Sequence, residues 1–149
     1  AGVDQQLLGV FAAQPLPLMA QALAALGSRS ALVVHGQGFD EVAISGETSA
    51  VQLAGGALTA RTIAPEQAGL SRHSADALKG GSPEYNAMRL RDLLAGGHDA
   101  YRDMVLLNAA AALAVVQPGL TLADGVARAA HAIDSGAAAD VLARWIAFR

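Results

Sequence analysis

The chain has 149 residues, 53% of them apolar, only 4% aromatic and 15% charged, with a net charge of −3 and no cysteine. That length suits one domain with its own core, built here mainly from Ala, Leu and Val. The acid-leaning balance speaks against nucleic acid or an anionic membrane as partner, and the lack of cysteine excludes disulfide and thiolate chemistry, which fits a cytoplasmic protein.

Ala1 to Gln6 is polar and has no basic signal-peptide region, so the chain is expected to open inside a longer fold. Leu7 to Phe11 is apolar but too short for periodicity to separate strand from helix. From Pro15 to Leu26, the residues Leu16, Met19, Leu23 and Leu26 make one helical stripe, which Gly27 stops. Ala31 to Val34 is an unbroken apolar run with two β-branched residues, which predicts a strand buried on both faces. His35, Gly36 and Gly38 then open a loop that carries Asp40 and Glu41. In α/β folds ligands bind just past the carboxyl ends of parallel strands, so these two acids stand where a ligand would sit.

Val42 to Ile44 and Ala50 to Leu53 read as short strands joined by a turn at Ser45 to Thr48, and Gly55-Gly56 leads into another from Leu58 to Ile63. This meander is expected beside a parallel sheet. Pro65 to Gly69 closes it, and Leu70 to Gly81 reads as a polar loop with room for a helical turn. Ser82-Pro83-Glu84 is a helix start, with a hydroxyl cap, proline at the first position and an acid in the first turn. Gly96-Gly97 ends that helix near Ala95. Tyr101 to Gln117 is apolar nearly all round, which predicts a central helix; its most apolar part, Met104 to Val116, is too short to span a bilayer. After Pro118-Gly119, Thr121 caps a helix to Asp134 with Leu122, Val126, Ala129, Ala130 and Ile133 as its buried stripe. Asp134 or Ser135 is expected to cap a last helix through Trp145. The fold class is α/β, a layered domain with a mainly parallel central sheet flanked by helices.

Asp40 and Glu41 are the leading candidates for chemistry, because hard oxygen donors on a loop suit Mg²⁺; the competing reading is a solvated acidic turn. Gly36 and Gly38 match neither a dinucleotide fingerprint nor a P-loop, so a tight turn is expected there. His35 is expected to be held by hydrogen bonds. His73, His98 and His131 are too scattered for a zinc site. Asn108, set among Leu106, Leu107 and alanines, is a buried amide expected to bond a neighbouring loop. Arg61 and Arg72 are weak candidates for meeting an anionic substrate.

Ala31-Leu-Val-Val-His-Gly36, Gly38-Phe-Asp-Glu41, Gly80-Gly-Ser-Pro-Glu-Tyr-Asn-Ala87, Arg102-Asp103, Leu107-Asn-Ala-Ala110 and Ala132-Ile-Asp-Ser-Gly-Ala-Ala138 occur in this order. Together they resemble the carboxyl-terminal half of the anthranilate phosphoribosyltransferase family. The resemblance implies an α/β domain like that of the nucleoside phosphorylases, with residues 1–149 forming its carboxyl-terminal part. It also implies a Mg²⁺-dependent pentosyltransferase of tryptophan biosynthesis that joins anthranilate to phosphoribosyl pyrophosphate (PRPP) and acts as a homodimer. Asp40 and Glu41 match the metal-binding acids of the family's Gly-x-Asp-Glu motif, with Phe39 in place of the usual Leu. The family's phosphate loop, its Lys-His-Gly-Asn segment and its anthranilate-contacting arginine fall outside these residues, so the chain alone is expected not to turn over substrate. A non-catalytic paralogue that binds nucleic acid or another ligand, and a pyrimidine nucleoside phosphorylase relative, are the rival readings.

Overall fold

The computed structural model describes residues 3–148; residues 1, 2 and 149, the ends of the expected 1–149 unit, lie outside the described residues. The run at Leu7 resolves as strand. β1 spans Gln5–Gly9 and pairs in parallel with β2, Ser30–His35, placing Leu7 opposite Leu32 and Gly9 opposite Val34. Parallel neighbours need a crossover, and α1, Leu16–Ala25, supplies it. Leu16 and Ala20 are buried, and Met19 and Leu23 join them against Val33 and Val51 on one face of the sheet. Leu26 departs from the expected stripe: it lies past the helix end and is 83% exposed.

All four residues from Ala31 to Val34 are buried, as a strand covered on both faces requires. Leu32 and Val34 point into the larger core, and Val33 points toward α1. β3, Thr48–Ala54, and β4, Ala57–Ile63, complete a four-stranded sheet in the order β1-β2-β3-β4. The α/β class stands, but the expectation of a mainly parallel sheet is corrected among the described residues. Only β1 and β2 pair in parallel; β2 with β3 and β3 with β4 are antiparallel, and the meander belongs to the same sheet. The reason lies in Gly55-Gly56, whose φ values of 56° and 79° form a two-residue hairpin turn, and so short a link joins only antiparallel strands.

A second correction concerns Val42 to Ile44, which is buried but is not a strand. Its backbone groups are satisfied elsewhere: Val42 by the Asn108 side chain, the Ala43 N–H by Thr48 Oγ1 at 2.9 Å, and the Ile44 carbonyl by the His73 N–H at 3.1 Å. A segment whose donors and acceptors are met this way has no need of a ladder.

The meander runs into a 3-10 turn at Pro65–Ala68, and a second at Ala75–Leu78 is the helical turn expected in the polar stretch. α2, Pro83–Leu94, starts where Ser82 Oγ accepts the Tyr85 N–H. α3, Ala100–Val116, is capped by Asp99, whose Oδ1 accepts the Arg102 N–H at 2.9 Å. It is the central helix, with Met104, Leu107, Ala111 and Val115 facing the sheet and Leu106 facing α2 and α4. α4, Leu122–Asp134, carries the expected Thr121 cap and stripe. α5, Ala137–Ala147, is entered through Gly136 at φ 81°, with no side-chain cap. The expected cap by Asp134 or Ser135 fails because the Asp134 carboxylate accepts from Arg102 and Ser135 closes α4. Among the described residues no helix is long and apolar enough to cross a membrane.

Candidate functional site

β2 ends at His35, whose Nδ1 lies 2.9 Å from the Val10 carbonyl, the restraining bond expected of it. The chain then reverses within four residues. Gly36 and Phe39 exchange backbone hydrogen bonds of 3.0 and 2.8 Å, and Gln37 and Gly38 between them both have positive φ, 47° and 92°. Two positive values at the central positions define a mirror-image tight turn whose twist suits the flanking backbone. It is the turn foreseen from Gly36 and Gly38, but the left-handed Gln37 was not foreseen.

The reversal lays the backbone of Asp40 against Gly9, at the end of β1. A Cβ on Gly9 would overlap the Asp40 carbonyl oxygen, so only glycine lets the two chains approach this closely. Gly36 does the same for Glu41, whose carbonyl oxygen lies 2.5 Å from where a Cβ would stand. Beyond Glu41, Asn108 on α3 grips the next residue: its Oδ1 accepts the Val42 N–H at 2.9 Å and its Nδ2 donates to the Val42 carbonyl at 2.9 Å. The expected loop bond of Asn108 is therefore present, and it falls on the residue that follows the acids.

Held in this way, Asp40 and Glu41 both leave β geometry and border one open cleft of about 550 Å³ between the ends of β1 and β2 and the flank of α3. Leu7, Val34, Met104 and Val105 form its apolar wall, with Tyr101 and Asn108 as polar neighbours. Among the described residues no cationic side chain borders the cleft and neither acid makes an ion pair. Two uncompensated carboxylates give the cleft a negative potential that favours a cation. Among the described residues no group of three or more His, Cys, Asp or Glu is placed to hold a metal, so the chain offers two oxygen-donor side chains. That donor set fits Mg²⁺, which keeps several waters and is held by one or two carboxylates together with substrate phosphates.

The stretch from Gly80 to Ala87 forms a second, smaller cleft of about 140 Å³, bounded by Lys79, Gly80, Tyr85, Asn86 and Arg89. Asn86 fixes its floor by accepting the Gly81 N–H at 2.9 Å and donating to the Gly81 carbonyl at 3.2 Å. Tyr101 borders both clefts, and the Arg89 guanidinium lies 5.7 Å from the centre of its ring. The sequence reading missed Tyr101, since a tyrosine opening an apolar helix carries no local sign of the cleft it will face. It also missed Gly9, hidden in the undecided run.

The remaining candidates lie elsewhere. Arg61 bonds Gln52 across the β3–β4 hairpin and Arg72 pairs with Glu66 at 2.7 Å, so neither borders the carboxylate cleft. His73 faces Asp103 at 2.7 Å, tying the loop before α2 to the start of α3. His98 and His131 are exposed.

A βαβ unit whose strands end at an open cleft is the arrangement in which α/β domains bind their ligands. Residues 1–139 match the model of the Glycosyl transferase family, a/b domain, and the chain belongs to that family. Among its relatives, an anthranilate phosphoribosyltransferase of Rhodopseudomonas palustris is 54% identical over 148 residues, covering 99% of this chain and 44% of the relative. The enzyme of the same name from Mesorhizobium japonicum is 49% identical over 146 residues, covering 98% and 44%. The crystal structure of anthranilate phosphoribosyltransferase from Thermus thermophilus superimposes with a TM-score of 0.90 at 41% identity, covering 99% of this chain and 44% of that one. The Saccharomyces cerevisiae enzyme in complex with PRPP and Mg gives 0.81 at 27% identity, covering 89% and 39%. The chain thus spans less than half the length of these relatives.

Proposed function

We propose that this chain is the carboxyl-terminal part of the catalytic α/β domain of an anthranilate phosphoribosyltransferase, the enzyme that joins anthranilate to PRPP in tryptophan biosynthesis. The observation that carries the reading is the pair Asp40 and Glu41, without an ion-pair partner among the described residues and bordering one cleft at the ends of two parallel strands. In the reaction the anthranilate nitrogen bonds to the ribose C1 as the C1–O bond to pyrophosphate breaks, and the amine proton leaves to solvent or base. Bound Mg²⁺ would supply positive charge where negative charge grows on the departing pyrophosphate oxygens.

The chain's own contribution is to place and protect. Asp40 and Glu41 would hold the ion, each fixed by backbone contacts at Gly9 and Gly36 and by the bond of Asn108 to Val42. Leu7, Val34 and Met104 keep water from one side of the cleft, which strengthens the attraction between the acids and a cation. Anthranilate's amine needs orientation more than activation, and a rigid loop between strand ends provides a fixed frame for it. The same reading includes a cytoplasmic homodimer in which the 149 residues alone do not turn over substrate.

The test is made in the complete protein. Asp40→Asn with Glu41→Gln should lower the Mg²⁺-dependent loss of anthranilate fluorescence with PRPP by about 100-fold or more, the scale of removing charge stabilisation at a developing anion. Undiminished turnover by the double variant would exclude the acids from the reaction. A module that only binds would show no turnover with either protein.

A further inference from the structure

We propose that Asn108 is a positioning residue for the metal: by clamping the peptide after Glu41 it sets the direction in which Asp40 and Glu41 face, and hence the affinity of the cleft for a divalent cation. The inference rests on the assignment of those two acids as metal ligands. Three hydrogen bonds carry it. Asn108 Oδ1 accepts the Val42 N–H at 2.9 Å, while Nδ2 donates to the Val42 carbonyl at 2.9 Å and to the Met104 carbonyl one turn back at 3.0 Å. A primary amide has two N–H donors, and both are committed. Asn108 borders the cleft but has no hydrogen left for a ligand, so it acts through the loop.

The clamp acts on a segment that has no ladder to hold it. Val42, Ala43 and Ile44 are fully buried yet outside any strand, and the two acids just before them are exposed. Without the amide, the Val42 N–H and carbonyl lose the bonds that Asn108 gives them, and the peptide that orients Glu41 is free to rotate. α3 supplies a rigid base, since the bond to Met104 fixes the Asn108 side chain against its own helix. Asparagine is a poor helix former, and this one interrupts a run otherwise made of Leu, Val and Ala. A residue that weakens its helix while making three bonds is explained by what those bonds position.

Mn²⁺ serves as the probe, its binding to the complete protein followed by electron paramagnetic resonance with and without inorganic pyrophosphate. Asn108→Leu and Asn108→Ala should each raise the Mn²⁺ dissociation constant by about 10- to 100-fold, the usual penalty for removing a partner that orients a metal ligand. The Ala variant adds no bulk and keeps helix propensity, so it reports if the Leu variant fails to fold. Leu106→Ala is the structural control: it lies on the same helix but packs against Leu93 and Ile133, and it should lower thermal stability without changing Mn²⁺ affinity. Wild-type Mn²⁺ binding by both Asn108 variants, alongside its loss in the Asp40→Asn, Glu41→Gln double variant, would overturn this inference and leave the ligand assignment standing. Full binding by the double variant would overturn both.

Discussion

Replacing Gly9 by alanine tests how the two acids are held in place. The added methyl would overlap the Asp40 carbonyl oxygen deeply, whereas ordinary contact begins at 3.4 Å. Relieving that overlap requires the strand end and the loop to separate by about 2 Å, since both partners are backbone and neither can rotate away. Alanine also restrains the unfolded chain, which stabilises by about 0.4 to 1 kcal/mol, but overpacking at a closed site costs about 1 to 3 kcal/mol, so a net loss is expected. For a chain of this size a loss of about 1 kcal/mol lowers the melting temperature by roughly 2 to 4 °C. The functional effect should be much larger, because a misplacement of about 1 Å at a reacting centre can cost about 100-fold in rate. Melting by circular dichroism, Mn²⁺ affinity and kcat/KM for PRPP, all measured on the complete protein, separate the two effects. A Gly9→Ala protein with wild-type metal affinity and turnover would refute the claim that this contact positions Asp40.

Two further outcomes follow from charges away from the cleft. Arg102 is 3% exposed and its Nη2 donates to Asp134 at 2.7 Å, while Nη1 is buried without a hydrogen-bond partner among the described residues. Asp134→Ala leaves that guanidinium without its counter-charge and should cost about 2 kcal/mol in urea unfolding, less than a wholly buried pair because the carboxylate is half-exposed; Arg102→Met should cost under about 1 kcal/mol. At the surface, the hydrogen bond from Arg72 holds the Glu66 carboxyl below its ordinary value of 4.5. A depressed carboxylate contributes stability that is fully present above pH 4.5 and is lost as pH falls through the lowered value. In Arg72→Gln the Glu66 titration followed by NMR should move up toward 4.5, and high salt should shrink the difference.

Much of the chain's local structure is written in neighbouring residues. Gly27, Ser82-Pro83, Thr121 and the break at Pro118-Gly119 mark helix ends because caps and breakers act within a turn of themselves. The burial of Ala31 to Val34 follows from its unbroken apolar run, and the central place of α3 from its all-round apolarity. Even the acids were legible as candidates, since a glycine loop after a buried strand is a local pattern.

What tertiary structure decided depends on residues far apart in sequence. β1 became a strand because β2 offered it a parallel partner, and Val42 to Ile44 did not because the side chains of Asn108, 66 residues away, and Thr48, together with the His73 N–H, met its backbone instead. Gly136 entered the last helix once Asp134 was taken by Arg102, 32 residues earlier. The approach of Asp40 to Gly9 and the shared wall at Tyr101 arise only when strand end, loop and helix converge. Propensities and caps are properties of short segments and can be read from them, whereas the partner of a buried donor or acceptor is chosen by the packing of the whole chain.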